Sequence, residues 1–177
     1  VLSERDPLAG QAAVGCDLQP RLAVLQKHRT LADLSLQLRR QLDRVPTPHT
    51  ETMQGAGASA AELIAAVFPR WIAQERPGQP GRYRLRQGRG AVLPDLDPLI
   101  GSPALAVARV DTGGANTRIQ LALPMDAEML LAIAKREGRW DECVSWDASL
   151  GQVRSERQLL LGAVSYTHLR AHETKRN

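Results

Sequence analysis

A change of period constrains this chain more than any other feature. Up to residue 45, apolar side chains recur every three or four positions: Leu18, Leu22 and Leu25, then Leu31, Leu34, Leu38, Leu42 and Val45. That is the stripe of an amphipathic helix. From residue 82 onward the pattern alternates, as in Arg82-Tyr83-Arg84-Leu85 and again over residues 118–123. Alternation places successive side chains on opposite faces of a strand. The two regimes are divided by Pro77-Gly78-Gln79-Pro80-Gly81, which no helix traverses. The expected class is therefore α+β, a helical segment followed by a small β structure.

Helices are expected over residues 17–28, with Pro20 tolerated in the first turn, and along the stripe of residues 31–45. Arg39, Arg40 and Arg44 face away from that stripe. Residues 46–58, rich in Thr, Gly and Ala, read as a linker. Ser59-Ala60-Ala61-Glu62 is a capping-box pattern, so a closing helix is expected over 59–76, interrupted near Pro69. Strands are expected at residues 82–85, 90–93, 104–110, 118–123, 143–146 and 152–161. A helix capped by Asp126 stands between the fourth and fifth of them. That order suits an OB-like β-barrel over residues 81–163 with one inserted helix.

The composition removes several function classes. No apolar run approaches the roughly 20 residues of a membrane span, and no signal peptide precedes the first helix. No membrane partner is expected. Cys16 and Cys143 are far apart, with no histidine pair near either, which points to free thiols, a cytoplasmic setting and no metal site. Phosphoryl transfer needs a glycine-rich loop ending in lysine. The lysines are Lys27, Lys135 and Lys175, and none follows a glycine. No Gly-x-Ser-x-Gly elbow occurs, and Asp141-Glu142-Cys143-Val144 echoes a DExH box only by chance, since its histidine is missing. No catalytic residue is expected, and no cofactor is expected to bind this chain.

What remains is a local charge. Arg82, Arg84, Arg86 and Arg89 lie on a predicted hairpin with no acid among them and with Tyr83 inside the cluster. Guanidinium groups pair with phosphates, and an aromatic ring can stack on a base. Arg118 is a candidate helper. These six residues form the candidate nucleic-acid site, with single-stranded RNA as the expected partner. A solubilising outer strand face would present the same residues.

Several segments resemble one family. Leu2-Ser3-Glu4-Arg5-Asp6-Pro7, Phe68-Pro69-Arg70-Trp71-Ile72-Ala73-Gln74-Glu75-Arg76, Gly81-Arg82-Tyr83-Arg84-Leu85 and Gly88-Arg89-Gly90-Ala91 match the pattern of HrpB-type helicases, DEAH-box RNA helicases. So do Asp97-Pro98-Leu99, residues 118–126, Val144-Ser145-Trp146-Asp147 and Leu161-Gly162-Ala163. Arg70 and Trp71 stand where the family usually has Asp and Arg, and Glu75 where it usually has Arg. The resemblance implies that residues 1–45 end a helical ratchet-type domain, and that residues 81–163 are the OB-like domain beside the single-stranded RNA channel. ATP and magnesium would serve motor lobes that this chain does not contain but would work with in cis. The chain alone is then expected to bind or guide RNA and not to hydrolyse ATP. A free-standing OB-type nucleic-acid-binding module is the alternative, and an interaction domain without RNA affinity a third reading.

The resemblance ends at Ala163. Residues 164–177 resemble a translated transposase sequencing adapter, so they are expected to be a non-native tail, extended or poorly packed.

Overall fold

A computed structural model of the chain describes residues 8, 13–25, 29–42, 59–114, 116–147 and 151–170. The linker expected at 46–58 and the end of the leucine stripe at Val45 lie outside the described residues. Helices α1 (Gln19–Leu25) and α2 (Arg29–Leu42) follow the leucine spacing. Helix α3 (Ala60–Val67) starts where the capping box places it. The Ser59 Oγ accepts from the Glu62 amide at 3.2 Å, and the Glu62 carboxylate accepts from the Ser59 amide at 2.7 Å. Both bonds satisfy amides that a helix start leaves without partners.

The closing helix does not run to residue 76. Phe68 precedes a proline and leaves the helical region, Pro69–Trp71 makes one 3-10 turn, and β1 (Ile72–Arg76) follows. Proline disfavours helix at the residue before it and removes an amide. What fixes residues 72–76 as a strand is the company they find. β1 pairs on one side with β2 (Gln79–Leu85) and on the other with β4 (Ala104–Asp111). With β3 (Gly90–Val92) and β5 (Thr117–Met125) these strands close a barrel in the order β1-β2-β3-β5-β4. The β3–β5 pair is parallel.

The class expected from sequence, a helical part followed by a small barrel, is what the chain adopts. The barrel draws its strands differently from the expectation. Its first strand comes from the expected helix. Helix α4 (Ala127–Glu137), capped by Asp126 through its 2.7 Å bond from the Met129 amide, follows the fifth barrel strand and is not inserted between barrel strands. The strands β6 (Arg139–Asp147), β7 (Gln152–Leu161) and β8 (Val164–Arg170) form a separate three-stranded sheet. The expected tail therefore supplies β8, and its first residue, Val164, is buried. β7 would otherwise end the sheet with a row of unpaired main-chain groups, which any extended segment can satisfy.

Two cores result. Tyr83, Leu85, Leu105, Val107 and Ile119 fill the barrel with Cys16, Ala73 and Ala122. Ala104, Ala106 and Ala108 point the other way from β4, toward Ala61 and Ala65 of α3, Leu130 and Ile133 of α4, and Leu159 and Leu161 of β7. β4 is thus buried on both faces, and small alanines let the helices approach it closely.

The barrel is stitched to the segment before α1. β3 is short and leaves part of β5 without a neighbour. The Leu18 amide donates to Ala122 O at 2.9 Å, and the Ala122 amide donates to Cys16 O at 2.9 Å. The buried Asp97 carboxylate accepts from the Cys16 amide at 2.8 Å and from the Leu99 amide at 3.0 Å. Gly15 has φ of +49°, and a Cβ there would lie 2.4 Å from an Asp97 oxygen. Arg21, also buried, donates to Gly15 O at 3.0 Å and to Asp17 O. The helical part and the barrel thus share one hydrogen-bonded seam.

Candidate nucleic-acid interface

The candidate arginines stand on strands whose alternation is set by the barrel core. In β2, Tyr83 and Leu85 face inward while Arg82 and Arg84 are exposed. Arg82 lies opposite Val92 of β3, Val92 lies opposite Arg118 of β5, and Arg118 is exposed as well. Direct opposition puts all three on one face, so Arg82 and Arg118, two strands apart, have Cα atoms roughly 10 Å from each other. Arg84 stands one pleat repeat along β2, about 7 Å from Arg82, between Gly90 of β3 and Gln74 of β1. Asp111 of β4 lies opposite Arg118 and is the acid at the end of this row.

Sequence reasoning missed Arg76. A Cβ built on Gly90 would lie 3.1 Å from a guanidinium nitrogen of Arg76. Gly90 faces outward with Arg84, so the Arg76 guanidinium lies across the barrel face beside Arg84. The missing side chain at Gly90 makes the room. The signal was available in the absent Cβ, but only once β1 was known to be a strand.

Two of the six candidates are placed otherwise than expected. Tyr83 is wholly buried, and its hydroxyl can donate to Ser102 O at 3.0 Å or Leu99 O at 3.2 Å. Burial, then the nearby Glu75 and Asp97 carboxylates, pushes its ionisation above the ordinary tyrosine range. It is a core residue that anchors the connection between β3 and β4, so it cannot stack on a base. Alternation around a filled barrel dictates this: the large residue between two arginines must point inward. Arg86 is half-buried and binds Glu137 of α4 at 2.7 Å, so its charge ties the β2–β3 turn to the helix end. Burial raises the Glu137 ionisation. The hydrogen bonds from Arg136 and Arg86, with their charges, outweigh that and hold it below the ordinary 4.5. Arg89 remains exposed in the turn closed by Leu85 and Gly88.

Cys16 is a buried free thiol. Its Sγ donates to Ile119 O at 3.0 Å, and burial, followed by the adjoining Asp97 carboxylate, pushes the thiol up to about 12. Among the described residues no helix is long and apolar enough to cross a membrane. On the separate sheet, Trp140, Val144, Trp146 and Val153 are exposed, with the Arg157 guanidinium carbon 5.0 Å from the Trp140 ring centroid.

No protein-family model matches the chain. Among curated proteins it is similar to the ATP-dependent RNA helicase HrpB of Escherichia coli strain K12, with 34% identity over 107 residues, 59% of this chain. Among solved structures it is similar to the E. coli DExH-box NTPase HrpB, with a TM-score of 0.69 and 26% identity over 94% of this chain. A second structure, of the Escherichia coli DEAH/RHA helicase HrpB, has a TM-score of 0.62 at 21% identity and bears on the fold alone. The chain spans 13% of the curated relative and 20% of each solved chain. The likeness is one of sequence over 107 residues and of fold over 94% of the chain.

Proposed function

We propose that this HrpB-like segment is the accessory part of an ATP-dependent RNA helicase that holds single-stranded RNA while motor lobes outside this chain hydrolyse ATP. One observation carries the reading: Arg82, Arg84 and Arg118 share the outer face of the barrel, with Arg76 beside them and Arg89 in the adjoining turn. Arginines whose Cα atoms lie about 7–10 Å apart can follow a sugar–phosphate backbone without reading its bases. A closed five-stranded barrel is a suitable platform for such a strand. The seam through Cys16, Asp97 and Ala122 supports a barrel working as part of a larger body, not as a free-standing module.

The test is binding of a fluorescent uridine 15-mer to the whole chain across a salt series. Neutralising three phosphates gives a log–log slope near −2, at about −0.7 per contact on a single strand. Replacing Arg82 and Arg84 together by Ala should weaken binding and flatten the slope by roughly 1.4. Arg86→Ala should leave the slope unchanged, because that side chain is committed to Glu137. An affinity and slope untouched by the double replacement would refute the reading.

A further inference from the structure

The end of α3 carries a feature that the arginine face does not use. Phe68 and Trp71 are three residues apart across the 3-10 turn, held by the Trp71 amide donating to Phe68 O at 2.9 Å. Their rings stack with centroids 5.2 Å apart and planes 15° from parallel. Both are only half-buried, although the chain has just six aromatic residues for its cores. A solvent-open cavity of about 380 Å³ lies against the pair, walled by Val67, Pro69, Arg70 and Gln87. Ligand pockets commonly occupy about 300–1,000 Å³. Among the described residues the only charge in this wall is the exposed Arg70, and none of them is a carboxylate.

We infer that this cavity takes a nucleobase of a bound single strand; the inference rests on the RNA reading above and gives it a second, uncharged contact. The two rings are too close to admit a base between them. A base therefore adds to the outside of the offset stack, and the stack is sequence-tolerant because every base has a π-face. Gln87 can both donate to and accept from a base edge, and Arg70 stands ready for a phosphate. Gln87 belongs to the β2–β3 turn that also carries Arg89, so one strand can leave the pocket directly onto the arginine face.

The experiment uses the whole chain with Trp140→Phe and Trp146→Phe, which leaves Trp71 as its one tryptophan. A uridine 12-mer and an abasic ribose-phosphate 12-mer are titrated at fixed low salt, following Trp71 emission and anisotropy. The uridine strand should quench Trp71, and the abasic strand should bind about tenfold more weakly without quenching. Phe68→Leu and Gln87→Ala, the latter on an exposed turn where folding is not at stake, should each weaken uridine binding severalfold. Neither should change abasic binding or the salt slope. Equal binding of both strands with Trp71 unquenched would overturn the pocket and leave the phosphate reading standing. Binding of neither strand would overturn both.

Discussion

Asp97 offers the sharpest test of how this molecule holds together. The residue is 6% exposed, and its carboxylate accepts from two amides, Cys16 at 2.8 Å from the helical side and Leu99 at 3.0 Å from its own loop. Asp97→Asn preserves shape but leaves one acceptor oxygen for two donors, and sets an amide N–H against a main-chain N–H. Hydrogen bonds to a charged group contribute roughly 1.5–3 kcal/mol each, so losing one should cost about 2 kcal/mol. The loss falls on the seam first, because the Cys16 and Leu18 bonds to Ala122 depend on the same short segment. Opening of the seam should then be favoured by about 30-fold, at 1.4 kcal/mol per tenfold. Cys16 reports it directly. The residue is 5% exposed and its thiol is pushed up to about 12, so it reacts only when the seam opens. In a Cys143→Ser background, which leaves Cys16 as the one thiol, the labelling rate at pH 8 should rise by about that factor. Amide exchange at Leu18 and Ala122 should quicken in parallel, while the Arg82 and Arg84 amides stay protected. An unchanged labelling rate would mean that Asp97 does not hold the seam, and the argument for one continuous body would fail with it.

Other outcomes follow from single contacts. Glu137→Gln removes a partner of Arg86 and Arg136, and at this degree of exposure the loss near pH 7 should be no more than about 1 kcal/mol. Because the folded carboxyl lies below its ordinary 4.5, its stabilisation is present above that pH and disappears as pH falls through the folded value. Urea midpoints of the variant and parent should therefore converge in acid, and a constant gap would refute the assignment. Ser59→Ala breaks one arm of the capping box and should cost about 1 kcal/mol in urea denaturation; no change would mean that α3 is held by packing alone. Gly162 has φ of +63°, and a Cβ there would meet Arg86 O at 2.4 Å, so Gly162→Ala should lower the melting temperature and loosen the turn that receives the Ala163 amide. The purified chain should show no RNA-stimulated ATP turnover, since no lysine follows a glycine; turnover that survives repurification would contradict this.

Local rules settled much of this protein from the sequence alone. The leucine spacing of residues 18–42, the Ser59–Glu62 cap, the Asp126 cap and the alternation of β2 and β5 depend on neighbours a few positions away, and each is read correctly without a fold. The same alternation already separated Arg82 and Arg84 from Tyr83, although which side was the inside had to wait. Tertiary structure decided the rest because the deciding partners are remote. Residues 72–76 have no strong preference of their own and become a strand because β2 and β4 each present a free edge. Tyr83 is a core residue because the barrel closes around it, and Arg86 is committed because α4 brings Glu137 to it from fifty-one positions along the chain. The Arg76 guanidinium joins the candidate face only because Gly90 leaves space on a neighbouring strand. Charge and period are local properties, whereas which face is enclosed and which charge is already matched depend on contacts that no short window of sequence contains.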